Sequence, residues 1–507
     1  MPHIDRTNAD KTFTVLILLL TALQVLCVVE SPLALAPDEA HYWEWSRRLD
    51  FSYYSKGPLV AYLIYFSRLL FGDTSLGVRF PAILSLALFS SAYYFFVRRF
   101  YAPGLALLAF IAVRSILIFA QMGLIMTTDG PAALCWMIAL LSAYFAVVDD
   151  RRHAWLPFGF FIGIGILAKY TLIFLFVSVA LFLVLTPRLR SHLRCWQFIT
   201  GTACMFICTL PILIWNSKHD WVNFSHNASH VVRESGVMFS PKYLPELLLG
   251  QMGLVGPIVF YGLIYALIRG YRVWRKGDIT AGLFFFSCAP LGIFVVVISL
   301  TKRVYANWPL PFYVGAILLF VHLLSLRAIG NGRTKTWMQA GIALSALITI
   351  FAHLPFLGFT LGLPANILPS KRLAGWQFLA KKVDAEVQKS LSKKRGMPFV
   401  LAEDYEILSE VAFYSTPRPE TLSVNLDDRR MNQYDIWGGF ERVLGRDALV
   451  IMKVPEKVEK LRPHFKSLVE VDGSPVTSSF ADSSTQPLYI YRGEGYDGWI
   501  PPLPTKR

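Results

Sequence analysis

Two carboxylates stand side by side where the chain leaves its first apolar stretch: Asp38 and Glu39, in Ala36-Pro37-Asp38-Glu39-Ala40-His41-Tyr42-Trp43. A carboxylate in such a place takes a proton from an attacking hydroxyl if it faces a cavity, or starts a helix if it does not. Proline at a first helical position followed by acidic residues favours a short helix, and Tyr42, Trp43 and Trp45 suit the headgroup belt of a bilayer. On this segment alone both readings stand. Another carboxylate, Asp129, lies in Met126-Thr127-Thr128-Asp129-Gly130-Pro131 before a second apolar run, where a helix cap is the plainer role. Cations occupy corresponding places: Lys56 in Ser55-Lys56-Gly57-Pro58, Lys169 interrupting an apolar stretch, and Lys302 and Arg303 in Thr301-Lys302-Arg303-Val304-Tyr305-Ala306-Asn307-Trp308-Pro309. Ionisable groups so close to lipid are costly unless solvated, paired or functional. Each has a structural explanation taken singly. Gathered on one membrane face, they suit a reaction on a phosphate-bearing lipid, with cations neutralising a departing phosphate and a carboxylate accepting a proton.

The elements that must position these residues are membrane spans. Of 507 residues, 54% are hydrophobic and only 16% charged, against about 25% charged in soluble domains. That balance excludes a soluble, disordered or fibrous chain and defines an α-helical polytopic membrane protein. A span needs about 20 apolar residues. Eleven stretches qualify, at roughly 12–30, 77–97, 104–122, 130–148, 154–168, 170–186, 197–215, 246–268, 280–300, 307–326 and 336–358. Basic clusters recur at every second gap: Arg98 and Arg99; Arg151 and Arg152; Arg188, Arg190 and Arg194; Arg269, Arg272, Arg275 and Lys276; Arg327, Arg333 and Lys335. By the positive-inside rule this sets the N-terminus in the cytoplasm. The first run is longer than a signal-peptide core and is read as a retained span. The loops 31–76 and 216–245, Thr127–Gly130, Lys169, Thr301–Arg303 and the tail then share the non-cytoplasmic face.

The chain divides into a membrane part, 1–361, and a polar tail, 362–507. The tail opens with a basic amphipathic segment (Lys371 to Arg395). Strand-like runs follow at 398–402, 448–454 and 487–491, with helical patterns at 405–414 and 456–465. It reads as a small α/β domain in the periplasm. The net charge of +15 gathers at span ends, so its partners are anionic membrane lipids; no nucleic-acid groove is visible. The six cysteines form no CxxC pair, which leaves neither a zinc site nor a disulfide framework indicated. His219, His226 and His230 read as loop residues that hydrogen-bond acceptor or backbone, although His226 and His230 have a spacing compatible with metal on a helix. No metal or other cofactor is required, but Asp38, Glu39 and Asp129 could take a divalent cation through oxygen.

The ordered set Pro37–Trp43, Ser55-Lys56-Gly57-Pro58, Thr128-Asp129-Gly130-Pro131 and Ala306-Asn307-Trp308-Pro309 resembles the bacterial family 39/83 type of integral-membrane glycosyltransferase. These enzymes have the GT-C fold and include protein O-mannosyltransferases and the aminoarabinose transferase that modifies lipid A. The resemblance runs over about residues 10–360. It implies a polyprenyl-phosphate-linked sugar donor, an inverting displacement at the anomeric carbon, and an acceptor that is lipid A, lipopolysaccharide, another glycolipid or a protein, all at the periplasmic face of the inner membrane. It implies Asp38 as general base or acceptor-positioning carboxylate, Lys56 as a donor-phosphate ligand and Asp129 as a second acidic site residue. Glu39, His41 and Tyr42 beside Asp38 are taken as substrate-binding. So are Lys169, Lys302 and Arg303, which follow from sidedness rather than from the resemblance. Where double proline would stiffen the turn, this sequence has Gly57-Pro58.

Two other classes compete. A flippase or transporter of polyprenyl-linked glycans needs ionisable residues at mid-membrane depth and broken helices in paired halves, whereas the charges here gather at one edge. A membrane-anchored scaffold would work through its tail and be indifferent to Asp38.

Overall fold

The computed structural model of the protein describes residues 5–231, 239–327, 332–358, 373–476 and 487–505. The side chains of His230, Arg333 and Lys335, the boundary expected at 361/362 and the start of the 371–395 segment lie outside the described residues.

Helices follow the apolar runs. α1 (Arg6–Val29) is followed by α2 (Pro37–Arg47) and α3 (Leu59–Phe71), which fill the first polar gap. Then come α4 (Ser75–Phe100), α5 (Pro103–Ser115), α6 (Leu117–Gln121), α7 (Asp129–Val147), α8 (Trp155–Ile166), α9 (Ile173–Leu185), α10 (Trp196–Lys218), α11 (Val222–Val231), α12 (Tyr243–Val255), α13 (Pro257–Arg275), α14 (Ile279–Ser299), α15 (Leu310–Ser325) and α16 (Gly332–His353). Among the described residues, α1, α4, α7, α10, α14 and α16 with the turn after it are long and apolar enough to cross a membrane. All eleven expected spans fall on helical segments, but not all as single helices.

The 104–122 stretch divides into α5 and α6 at Ile116, whose backbone is extended. The 246–268 stretch is two helices bent by 110°. The bend sits at Gly256, whose φ of +90° is left-handed, with Pro257 opening the next helix. A Cβ on Gly256 would lie 2.2 Å from the Ser345 hydroxyl, which donates to the Val255 carbonyl (2.8 Å). Glycine is therefore demanded twice, by conformation and by space.

The C-terminal part comprises α17 (Trp376–Ser392), β1 (Phe399–Ala402), α18 (Tyr405–Tyr414), β2 (Thr421–Ser423), α19 (Gln433–Trp437), β3 (Ala448–Met452), β4 (Ser467–Glu470) and β5 (Tyr489–Glu494). The sheet order is β2-β1-β3-β5-β4, parallel across β2, β1 and β3 and antiparallel across β3, β5 and β4. β1 and β3 are buried throughout, as strands covered on both faces must be. Phe399, Leu401 and Val450 enter one core, while Val400, Ala402 and Leu449 enter the other with Leu408 of α18 and Val383 of α17. The helix expected over 456–465 is instead two 3₁₀ turns, Pro455–Lys460 and Arg462–His464, because Pro463 cannot continue a helix begun at Pro455.

This domain is seated on the membrane part through α18 and α2. Phe413 meets the Trp43 ring edge-on (5.0 Å), the Tyr414 hydroxyl accepts the Leu35 N–H (2.7 Å), and His41 Nδ1 and the Ser409 hydroxyl are hydrogen-bonded at 3.0 Å.

Candidate active site

Between the two parts lies a cavity of about 970 Å³. Asp38, His41, Tyr42, Lys56, Asp129 and Lys169 line it, and so do Tyr405 and Arg430 of the C-terminal domain. Toward the spans the wall is apolar, with Ile173, Phe174, Phe294 and Trp308.

Pro37 opens α2, placing Asp38 and Glu39 in its first turn. One turn of helix sends these neighbours in different directions. Asp38 faces the cavity and accepts a hydrogen bond from the Tyr405 hydroxyl (3.0 Å). Glu39 turns inward, with 0% exposure. Its carboxylate meets Arg79 (2.7 and 2.9 Å) and accepts the N–H groups of Ala36 (2.8 Å) and Met126 (2.7 Å). Glu39 is thus no cavity residue. It ties α2 to α4 and to the turn leading into Asp129.

Lys56 is set by its backbone. Its carbonyl accepts from the Tyr53 N–H (3.1 Å) and the Ser52 hydroxyl (3.2 Å), and Asn223 of α11 holds the Tyr53 carbonyl (2.6 Å). Gly57 lets this loop lie against the end of α8: a Cβ there would come within 2.3 Å of the Leu167 carbonyl oxygen, which accepts the Leu59 N–H (3.1 Å). The glycine that replaces a second proline is therefore required by close approach, and it brings Lys56 beside Lys169. Lys169 sits in the break between α8 and α9 with an extended backbone. Its ammonium donates to Asp129 Oδ1 (2.6 Å), while Asn307 donates to Oδ2 (2.7 Å). Two residues 40 and 178 positions further along the chain thus converge on one carboxylate.

The electrostatics follow from this packing. Burial, and then the neighbouring Lys169, pull Lys56 below the ordinary lysine value, whereas Asp38 and Asp129 oppose that shift and Arg430 adds to it. Among the described residues the Lys56 ammonium has no ion-pair partner. The Tyr405 phenol is held far above its usual range by burial and by Asp38, so it stays protonated and donates. Burial also raises Tyr42, reinforced by Asp38, Tyr405 and Asp129. Burial drives His41 down to about 3, so it is a neutral imidazole packed among Tyr405, Tyr434 and Trp437.

Lys302 and Arg303 do not line the cavity, contrary to expectation. The Lys302 ammonium reaches the Ser229 carbonyl (3.3 Å), and the exposed Arg303 pairs with Glu246 of α12 (2.5 Å). The segment after α14 lines the cavity with Tyr305, Asn307 and Trp308 instead. His219 stacks on Trp215 (4.0 Å) away from the cavity, while His226 lines it against Tyr54 (4.5 Å). Asp38, Glu39 and Asp129 do not form one cation-binding set, since the last two spend their oxygens on Arg79, Lys169 and Asn307. Among the described residues no group of three or more His, Cys, Asp or Glu is placed to hold a metal ion.

Sequence reading missed Tyr405 and Arg430. Tyr405 opens a helix visible in the sequence, after the cap Asp404, but nothing local shows that α18 lies on α2. Arg430 belongs to Asp427-Asp428-Arg429-Arg430, which resembles any solvated turn.

The helical membrane part, with a small sheet domain over the cavity that holds the acid and the cations, has the GT-C fold. The family described as dolichyl-phosphate-mannose-protein mannosyltransferase matches residues 55–215, the span carrying Lys56, Asp129 and Lys169. The chain is 28% identical over 390 residues to the lipid A galacturonosyltransferase RgtD of Rhizobium johnstonii, covering 75% of this chain and 77% of that one. It is 25% identical over 333 residues to an undecaprenyl phosphate-alpha-4-amino-4-deoxy-L-arabinose arabinosyl transferase of Proteus mirabilis, covering 60% and 58%. ArnT from Cupriavidus metallidurans, solved bound to undecaprenyl phosphate, has the same fold, with a TM-score of 0.62 at 16% identity over 95% of this chain and 98% of that one.

Proposed function

We propose that the protein transfers a sugar from a polyprenyl-phosphate donor to a hydroxyl of lipid A, lipopolysaccharide core or a related glycolipid, at the periplasmic face of a bacterial inner membrane. In this reading the N-terminus is cytoplasmic and the C-terminal domain periplasmic. The observation that carries it is the convergence of Asp38, Lys56 and Lys169 on one cavity whose inner wall is apolar and continuous with the spans. The curated relatives, by their names, act on lipid A or on an undecaprenyl-phosphate-linked sugar.

The prenyl chain lies along Ile173, Phe174 and Phe294, and its phosphate is met by Lys56 and by Lys169, which Asp129 and Asn307 aim. Asp38 takes the proton of the acceptor hydroxyl as its oxygen bonds to the anomeric carbon from the face opposite the phosphate. The bond from that carbon to the phosphate oxygen breaks and the electron pair leaves on the lipid phosphate, so the anomeric configuration inverts. The leaving group already carries negative charge and needs little acid catalysis. The demanding tasks are hydroxyl placement and stabilisation of developing charge.

Mass spectrometry of glycolipids from cells with and without the gene tests the reading and names the sugar: loss of one sugar residue from lipid A or core is expected, and unchanged spectra overturn it. In purified protein, Asp38→Asn is expected to lower kcat by about 10²–10⁴-fold while binding of undecaprenyl phosphate persists. Full transfer by that variant removes Asp38 from the chemistry.

A further inference from the structure

We propose that Tyr405, supplied by the C-terminal domain, is a positioning residue of the transfer reaction: its hydroxyl holds the Asp38 carboxylate in the orientation that accepts the proton. This rests on the reading of Asp38 as base and extends the active site to a domain outside the membrane.

The geometry is a pair of rungs between two helices. Tyr405 and Ser409 lie one turn apart on α18, and Asp38 and His41 lie one turn apart on α2. The Tyr405 hydroxyl donates to Asp38 (3.0 Å), and the Ser409 hydroxyl bonds His41 (3.0 Å). The second rung fixes the first. Ser409 is itself within hydrogen-bond distance of the Tyr434 hydroxyl (3.1 Å), and the His41 ring packs on Tyr405 at 4.8 Å. The phenol therefore has one place to point. A carboxylate at the mouth of a wet cavity otherwise rotates freely, and a fixed donor removes that freedom before the acceptor arrives.

The charged and titratable groups around this pair are known. Tyr42 shares α2 with Asp38; Asp404 and Glu406 flank Tyr405; Lys56, Asp129 with Lys169, and Arg430 face them across the cavity. None of the hydrogen bonds described for these groups replaces the Tyr405 bond to Asp38.

The test is steady-state transfer by full-length purified protein from the polyprenyl-phosphate sugar identified by the mass-spectrometric comparison to lipid A. Tyr405→Phe is expected to lower kcat about 10- to 100-fold, with donor KM little changed and the thermal midpoint kept. 4-Aminophenylalanine at 405, nearly isosteric and with an N–H donor in place of the hydroxyl, is expected to keep kcat within a few-fold, and its loss of kcat in a folded protein overturns the inference should the phenylalanine variant fail to fold. If Tyr405→Phe keeps the parental kcat, or if kcat falls only in step with the amount of folded protein, Tyr405 merely packs and the inference falls. Asp38→Asn separates the two failures. Transfer that survives it sinks the assignment of the base itself, whereas a dead Asp38→Asn beside a Tyr405→Phe protein of parental kcat sinks only the role of Tyr405.

Discussion

Glu39 and Arg79 meet at 2.7 Å with neither side chain exposed at all, and this wholly buried pair fixes the helix on which Asp38 stands. Arg79 also donates to the Ala34 carbonyl (2.9 Å), so the segment entering α2 and the helix itself hang from one guanidinium on α4. The adjacent acids that look alike in the sequence have separate tasks, one catalytic in our reading and one mechanical.

Removing one partner leaves a buried charge alone. Arg79→Met is expected to destabilise the protein by about 3–5 kcal/mol, read as a lowered thermal midpoint in detergent. The double change Arg79→Met with Glu39→Gln is expected to recover part of that loss. Glu39→Gln should lower stability while transfer per folded molecule stays within a few-fold. A stable Glu39→Gln protein without transfer activity contradicts the mechanical role.

The sequence discloses much of this site because lipid leaves few reasons for a charge. Lys169 stands out in an apolar run, and Asp129 opens another. Taken together with the other charges at that edge they pointed to a site, and the helix over 405–414 was visible in its periodicity and cap. The remainder was hidden by distance and by direction. Whether Asp38 or Glu39 turns outward depends on where Arg79, some forty residues later, presents its guanidinium. Lys302 and Arg303 share the membrane edge with the site but face Ser229 and Glu246, because sidedness fixes height and not azimuth. The bend at Gly256 looked like a continuous span, since hydropathy does not register a left-handed glycine before a proline. Tyr405 came from a domain whose seating is written in no local pattern.

The Lys169–Asp129 pair makes a kinetic prediction. Asp129 is engaged by Lys169 and Asn307, so its proposed task is to aim the ammonium rather than to move a proton. Lys169→Met and Asp129→Asn are each expected to lower kcat/KM, and the double variant to lose less than the product of the two. The expected coupling is about 0.5–3 kcal/mol, as for residues in direct contact. Strict multiplication of the two losses would mean that Asp129 acts independently of Lys169, as a base or acceptor ligand in its own right.

Glu410 makes a prediction of opposite sign, for stability. It lies on α18 with 0% exposure, and among the described residues neither carboxyl oxygen has a hydrogen-bond partner. Arg79 faces it, as do Glu39 and Glu406, and its neighbour Tyr414 shares the helix. One guanidinium cannot neutralise two carboxylates, and Glu39 already holds it at hydrogen-bond distance. Burial, with Glu39 adding to it and Arg79 opposing, therefore raises the Glu410 pKa well above the ordinary 4.5, and the folded protein keeps it neutral. In the unfolded chain the same group ionises above about pH 4.5. As pH rises past that point the unfolded state sheds a proton that the folded state retains, and stability is lost at about 1.4 kcal/mol per pH unit until the folded group titrates. Glu410→Gln removes this linkage while keeping shape and polarity. Its thermal midpoint is expected to exceed that of the parent near neutral pH, with the gain vanishing as pH falls below about 4.5. A variant less stable than the parent at neutral pH would mean that Glu410 is ionised in the fold and that Arg79 serves both acids.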